Sequence, residues 1–312
     1  MYELTLLIVG LAGLWLGAEL VVRGSQNLAR FFKISELFIG LTIVSIGTSL
    51  PEIAVSISGA LQRLQGIETS GLVVGNALGS YLNQISLILG IVGVLGGVFL
   101  ISKRELRREG LMLLASIAIF FVFALDGKLT KFEGIVMIIV YLLYFFSLFR
   151  EEKVYEKIRR PQLNLVWDIS SIVAGLLIII YASQTVIGNG VLLAQMWGVK
   201  ESLIGILLIG LGTGLPELAV SATAIIRKST SIAVGNIIGS NITDLMFSLG
   251  LGTVISGFIV SKNLLWFDVP ILFGMALLVI ILFARGKRLK RKEAIILIAV
   301  YIAYLILKLK GL

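Results

Sequence analysis

The sequence predicts an all-α membrane protein of ten transmembrane helices in two inverted five-helix repeats, and three observations predict it. The 312 residues are 58% hydrophobic and only 14% charged, too apolar for one soluble domain of that size. Apolar runs of roughly 18 residues or more recur along the whole length, each long enough to cross a bilayer as a helix. One motif pair is written twice, once in each half of the chain.

The candidate spans are 4–22, 35–61, 71–99, 110–125, 134–149, 169–193, 202–225, 231–260, 269–284 and 294–307. No small-residue cleavage site follows the first span, which reads as retained in the protein. The longest polar stretch, Arg150 to Asp168 with Pro161 inside it, divides the chain. Residues 1–150 form the first repeat, 151–168 a cytoplasmic linker and 169–312 the second repeat. An odd number of spans per repeat turns the second copy upside down relative to the first, the plan of many secondary transporters.

The net charge is +9, which alone would suggest an anionic partner such as nucleic acid. The position of the charges argues for topology instead. Most of the 27 basic residues fall in loops on one side, from Arg23 to Lys33, Lys103 to Arg108, Arg150 to Arg160, Arg227 with Lys228, and Arg285 to Lys292. The other side holds Arg63, Lys128, Lys131, Lys200, Lys262, Lys308 and Lys310. The positive-inside rule then puts the rich side in the cytoplasm and both termini outside. The partners expected are inorganic cations and the lipid bilayer, with no nucleic acid, and the chain is expected to work as a monomer.

Cysteine and histidine are both absent. That excludes disulfide scaffolds, thiolate metal sites, cysteine nucleophiles and the usual zinc ligand and proton shuttle. A serine-based membrane enzyme would want a His or Lys base at depth, and an intramembrane aspartyl protease two central aspartates. The spans supply neither, and no enzymatic activity is expected.

Residues 46–56 read IGTSLPEIAVS and residues 211–221 read LGTGLPELAVS; GNALGS at 75–80 is matched by GNIIGS at 235–240. Of the 18 acidic residues, Glu52, Glu217 and Asp244 lie well inside apolar stretches. A charge there costs roughly 2.5–3.5 kcal/mol on insertion scales. No Lys or Arg lies at comparable depth along the sequence, so neutralisation must come from protons or a bound cation. Pro51 and Pro216 each remove one intrahelical bond beside a glutamate. Opened backbone at membrane depth is tolerated where it is buried in protein or lines a cavity. Each motif therefore offers a carboxylate, the hydroxyl of Thr48 or Thr213, and freed carbonyl oxygens. Asn76 and Asn236 could add amide oxygens, Ser80 and Ser240 hydroxyls, and Asp244 a third carboxylate. An all-oxygen set favours hard cations. Calcium accepts 6–8 oxygens in flexible geometry, whereas magnesium demands a tighter octahedron. Two glutamates balance one Ca²⁺ or two Na⁺.

On IGTSLPE with GNALGS, and LGTGLPE with GNIIGSNITD, the whole chain resembles the calcium/cation antiporter superfamily, in its prokaryotic sodium/calcium exchanger-like branch. The resemblance implies ions held between the broken second, third, seventh and eighth helices. It implies Glu52 and Glu217 as central calcium ligands and backbone carbonyls from Thr48 and Thr213. It further implies Ser49, Ser80, Ser240 and Asp244 at neighbouring sodium or proton positions. Gly214 departs from the family pattern by replacing the serine that pairs with Ser49. Gln84 departs from it by standing where Asn or Asp is usual, opposite Asp244, with Asn83 one residue out of register. The expected function is exchange of Ca²⁺ for Na⁺ across the cell membrane by alternating access, with no cofactor. The alternative is exchange of Ca²⁺ for protons, or of another divalent for a monovalent cation, and a passive channel is the competing class.

Overall fold

The computed structural model describes residues 2–96, 98–100, 102–151, 164–196, 212–286 and 288–309. The described chain is nearly all helical: α1 (Tyr2–Phe32), α2 (Glu36–Thr48), α3 (Leu50–Leu64), α4 (Ser70–Gly96), α5 (Lys103–Phe123), α6 (Lys131–Glu151), α7 (Leu165–Met196), α8 (Leu215–Ile226), α9 (Thr230–Ser256), α10 (Leu264–Arg285) and α11 (Arg291–Leu309). Among the described residues, seven helices are long and apolar enough to cross a membrane, and eight if the bent pair α2–α3 counts as one span. This is a multi-pass membrane protein.

Several helices run beyond the apolar limits read from the sequence. Helix α1 continues to Phe32 rather than stopping at residue 22, and Ser25, Leu28 and Ala29 in the extension are buried. Helix α5 begins at Lys103, seven residues before the apolar run. Ser102 caps it, its hydroxyl accepting from the Glu105 amide while the Glu105 carboxylate accepts from the Ser102 amide; such a reciprocal cap starts a helix whatever the polarity of its first turns. The early part of the expected 202–225 span and most of the 151–168 linker lie outside the described residues. Two short antiparallel ribbons were not anticipated: β1 (Val98–Leu100) with β4 (Arg288–Lys290), and β2 (Lys128–Leu129) with β3 (Phe258–Ile259).

By packing, the chain forms two compact units, one from residues 1–48 and 152–236 and the other from 49–151 and 237–312. Each takes residues from both sides of the Arg150 to Asp168 stretch.

The first unit is organised by a seam between α1 and α7. Glycines recur every seventh residue on α1, at Gly10, Gly17 and Gly24, which keeps them on one face. A Cβ on Gly17 would stand 2.7 Å from the Gly175 carbonyl oxygen, and one on Gly175 would stand 2.6 Å from that of Gly17. Lipid tails are as apolar as leucine, so helices in a membrane associate through such close backbone approach. Asn27 Nδ2 donates to Asp168 Oδ1 at 2.8 Å, and Arg227 forms an ion pair with Glu19, which ties α8 to α1. Helices α2 and α9 cross at Gly40 and Gly235, where either Cβ would meet backbone within 3 Å.

In the second unit, α4 and the later part of α9 are the most buried elements. Gly252 of α9 lies against α3, where a Cβ would stand 2.7 Å from the Ser56 carbonyl oxygen. Helices α10 and α11 are joined by Asp268, which accepts from Tyr304 Oη at 2.7 Å and from Lys308 Nζ.

If the glycine seam sets the first unit, Gly17→Leu lowers the thermal midpoint of the detergent-solubilised protein by several degrees, in line with overpacking costs of about 1–3 kcal/mol. Gly71→Ala, where a Cβ meets nothing within 4 Å, leaves the midpoint within a degree or so on the same melt.

Candidate ion-binding site

Each Pro-Glu motif starts a helix in the same way. Helix α3 starts after Ser49 and α8 after Gly214, with proline in the first turn of each. The two capping residues share one backbone conformation, φ −79 and ψ 2 at Ser49, φ −85 and ψ 3 at Gly214. Ser49 takes this conformation with a side chain, so the backbone does not require glycine at Gly214 and the missing hydroxyl is a chemical difference. The next backbone bonds also match: Ile53 N donates to Ser49 O and Leu218 N to Gly214 O, both at 3.0 Å. At such a break, carbonyls that end one helix and amides that begin the next are released from the ladder.

The motif glycines seat both breaks on α7. A Cβ on Gly47 would strike Leu176, and one on Gly212 would strike Ile187. These two contacts are eleven residues apart on one helix, about 16 Å along its axis.

In the first unit Asn236 connects the two motifs. Thr48 Oγ1 donates to Asn236 Oδ1 at 3.0 Å. Asn236 Nδ2 donates to the Glu217 carbonyl oxygen at 3.4 Å and to Ser221 Oγ at 3.1 Å. Thr48, Glu217, Ser221 and Asn236 are all buried. Thr213 is half-buried.

In the second unit Glu52 is 1% exposed, and Ser80 Oγ donates to its Oε1 at 3.5 Å. Gln84 Nε2 donates to Asp244 Oδ2 at 2.8 Å. Gln84 opens a π-helical stretch, Gln84–Ile88, and Asp244 lies in another, Thr243–Ser248. A π-turn adds one residue to the helical turn and re-aims the side chains after it. It is Gln84, not Asn83, that reaches Asp244. Asn83 is buried, and neither of its amide atoms has a hydrogen-bond partner among the described residues; the same is true of Gln84 Oε1. The Ser49 hydroxyl is a further hydrogen-bonding neighbour of the Asp244 carboxylate. Ser240 is buried. Asn76, the counterpart of Asn236, is half-buried.

Two groups escaped the sequence reading. Ser56 and Ser221 close the repeated eleven-residue motif, which was the available signal; Ser221 joins Asn236, and Ser56 pairs with Ser248 at 3.0 Å. The acids Glu109, Asp168 and Asp268 are also buried, although they lie near span ends. Each has a visible partner: Arg108 and Tyr144 for Glu109, Asn27 for Asp168, and Lys308 and Tyr304 for Asp268.

Oxygen is the currency of these clusters. Carboxylates, hydroxyls, amide oxygens and opened backbone carbonyls suit a hard cation. Among the described residues no three acidic side chains gather as a metal-holding group, so neutral oxygens would complete any coordination shell.

Multi-pass helices, proline-broken spans and buried oxygen clusters define an ion-transport protein rather than an enzyme. The family described as "Sodium/calcium exchanger protein" matches residues 2–150 and 167–310, and this chain belongs to it. It is 30% identical to the sodium/calcium exchanger MaX1 of Methanosarcina acetivorans, covering 96% of this chain and 97% of that protein. It is 38% identical to the inner membrane protein YrbG of Escherichia coli over 80% of this chain and 79% of the other. The solved structure of the sodium-calcium exchanger NCX_Mj, soaked with Na⁺ and Ca²⁺, superposes with a TM-score of 0.83 at 27% identity, covering 98% of both chains.

Because Asn236 holds Thr48 and Ser221 together, Asn236→Leu orphans buried polar groups and should destabilise the protein by about 1–3 kcal/mol. A lowered denaturation midpoint against wild type checks this; Asn76→Leu, at the half-buried counterpart, shifts it by less than half as much.

Proposed function

We infer that this protein is a secondary antiporter that exchanges Ca²⁺ for Na⁺ across the cell membrane by alternating access. One observation carries the reading: two duplicated proline breaks each place a glutamate, Glu52 at 1% and Glu217 at 0% exposure, inside an apolar helical protein of the sodium/calcium exchanger family. MaX1 and NCX_Mj, both named as sodium/calcium exchangers, are similar over nearly the whole chain.

In this reading ten helices form two inverted five-helix repeats, one on either side of the 151–168 linker. Glu52 and Glu217 ligate the transported Ca²⁺, with backbone carbonyls of Thr48 and Thr213. Ser49, Ser80, Ser240, Asp244 and Gln84 serve the Na⁺ positions, and Asn76 and Asn236 supply amide groups. Both termini face outward, as the excess of Lys and Arg in the opposite loops supports, and the monomer is the working unit. Charge explains the exchange. An empty pair of carboxylates is too costly to carry through hydrocarbon, whereas Ca²⁺ or two Na⁺ cancels it. Conversion between outward-open and inward-open states therefore proceeds only when loaded, which couples one ion to the other. The ions are cargo and no cofactor takes part.

Reconstituted vesicles test the inference through ⁴⁵Ca²⁺ uptake driven by an outward Na⁺ gradient with the pH gradient collapsed. Wild type takes up Ca²⁺, and Glu52→Gln and Glu217→Gln each lower the rate on the order of 100-fold, since ligand charge sets Ca²⁺ affinity over orders of magnitude. Uptake that ignores Na⁺ but follows a proton gradient would replace Na⁺ by H⁺, and wild-type rates in both variants would remove the mechanism. Gly214→Ser restores a hydroxyl at a backbone conformation that Ser49 itself takes, and it shifts the Na⁺ dependence of the same uptake.

A further inference from the structure

A groove between α5 and α10 has a chemistry unrelated to the carboxylate clusters. It encloses about 410 Å³, within the range of roughly 300–1,000 Å³ usual for small-ligand sites. Leu111, Leu114, Ile280 and Ala284 form its walls, and Lys103 and Arg107 stand at one end. Gly110 lets the two helices approach closely beneath it, where a Cβ would lie 3.1 Å from Ile280. Lys103 and Arg107 are both exposed. They are four residues apart and so share one helix face. No carboxylate pairs with either among the described residues, whereas the neighbouring Arg108 is engaged by Glu109. The groove lining contains no acid.

The placement of the two cations is unfavourable for the helix itself. They lie in its first turns, where the macrodipole is already positive and anions are preferred. A basic pair in that position, over an apolar slot at the end of a membrane span, complements one kind of molecule: an anion with a long apolar tail. Basic pockets between transmembrane helices bind anionic headgroups by this combination.

We propose that the α5–α10 groove is a binding site for an anionic phospholipid, with the headgroup phosphate on Lys103 and Arg107 and an acyl chain along Leu111, Leu114 and Ile280. The lipid fills the groove above the close approach at Gly110 and neutralises the basic start of α5. Leu106 is half-buried beside it and completes the slot.

Native mass spectrometry of the full chain, titrated with equal amounts of phosphatidylglycerol and phosphatidylcholine, tests the proposal. Wild type retains phosphatidylglycerol preferentially. Each basic residue near an anionic headgroup contributes about fivefold, so K103Q/R107Q loses roughly 25-fold of that preference. K290Q/K292Q removes the same charge elsewhere on the molecule and keeps the preference, as does the conservative K103R/R107K. Millimolar inorganic phosphate leaves the bound lipid in place, because the acyl contacts hold it. The proposal is overturned if K103Q/R107Q keeps the wild-type preference, if K290Q/K292Q loses as much, or if inorganic phosphate displaces the lipid.

Discussion

A carboxylate held inside hydrocarbon must be neutralised, and much of this structure follows from that constraint. Removing a charge from water is tolerable only with a compensating proton, base, metal ion or dense set of polar contacts. The protein contains both kinds of solution. At span ends, Glu109 and Asp268 meet Arg108 and Lys308, and the chain supplies its own countercharge. At depth, Ser80 donates to Glu52 and Gln84 to Asp244, both neutral groups. The first arrangement fixes helices to one another. The second suits acids whose charge is met by something that comes and goes.

Proline makes the deep arrangement possible. Without the Pro51 and Pro216 breaks, the helical ladder would consume every backbone carbonyl near Glu52 and Glu217. With them, α3 and α8 start beside their glutamates, and both capping residues take the same backbone conformation. Glycine does complementary work at Gly47 and Gly212, letting each break lie against α7. The motif is thus a unit of packing: Gly seats it against α7, and Pro stands in the first turn of the helix that carries Glu. Asn236 shows the economy of duplication, since one amide satisfies Thr48 of the first copy and Ser221 of the second.

Much of this was legible in the sequence, and the reasons are physical. Helix existence followed from apolar run length, and the deep acids stood out because so few charges lie inside the runs. Helix ends were not legible, because capping rather than hydropathy decides them: Ser102 starts α5 among basic residues, and α1 continues through RGSQNLARFF to Phe32. The resemblance set Gln84 opposite Asp244, and Gln84 donates to it; the π-helical stretches in which both residues lie have no simple sequence signature. Ser221 sat in plain view at the end of the repeated motif, but a lone serine carries little weight until its partner is known. Glu109 was hidden by its proximity to a span end, where acids are ordinarily solvated.

The most direct measurement is long-wavelength anomalous diffraction from crystals soaked in Ca²⁺. The expected result is calcium density within about 2.6 Å of carboxylate oxygens of both Glu52 and Glu217, fading as Na⁺ is raised. Calcium found only at surface acids, or density near the two glutamates that is indifferent to Na⁺, would contradict it.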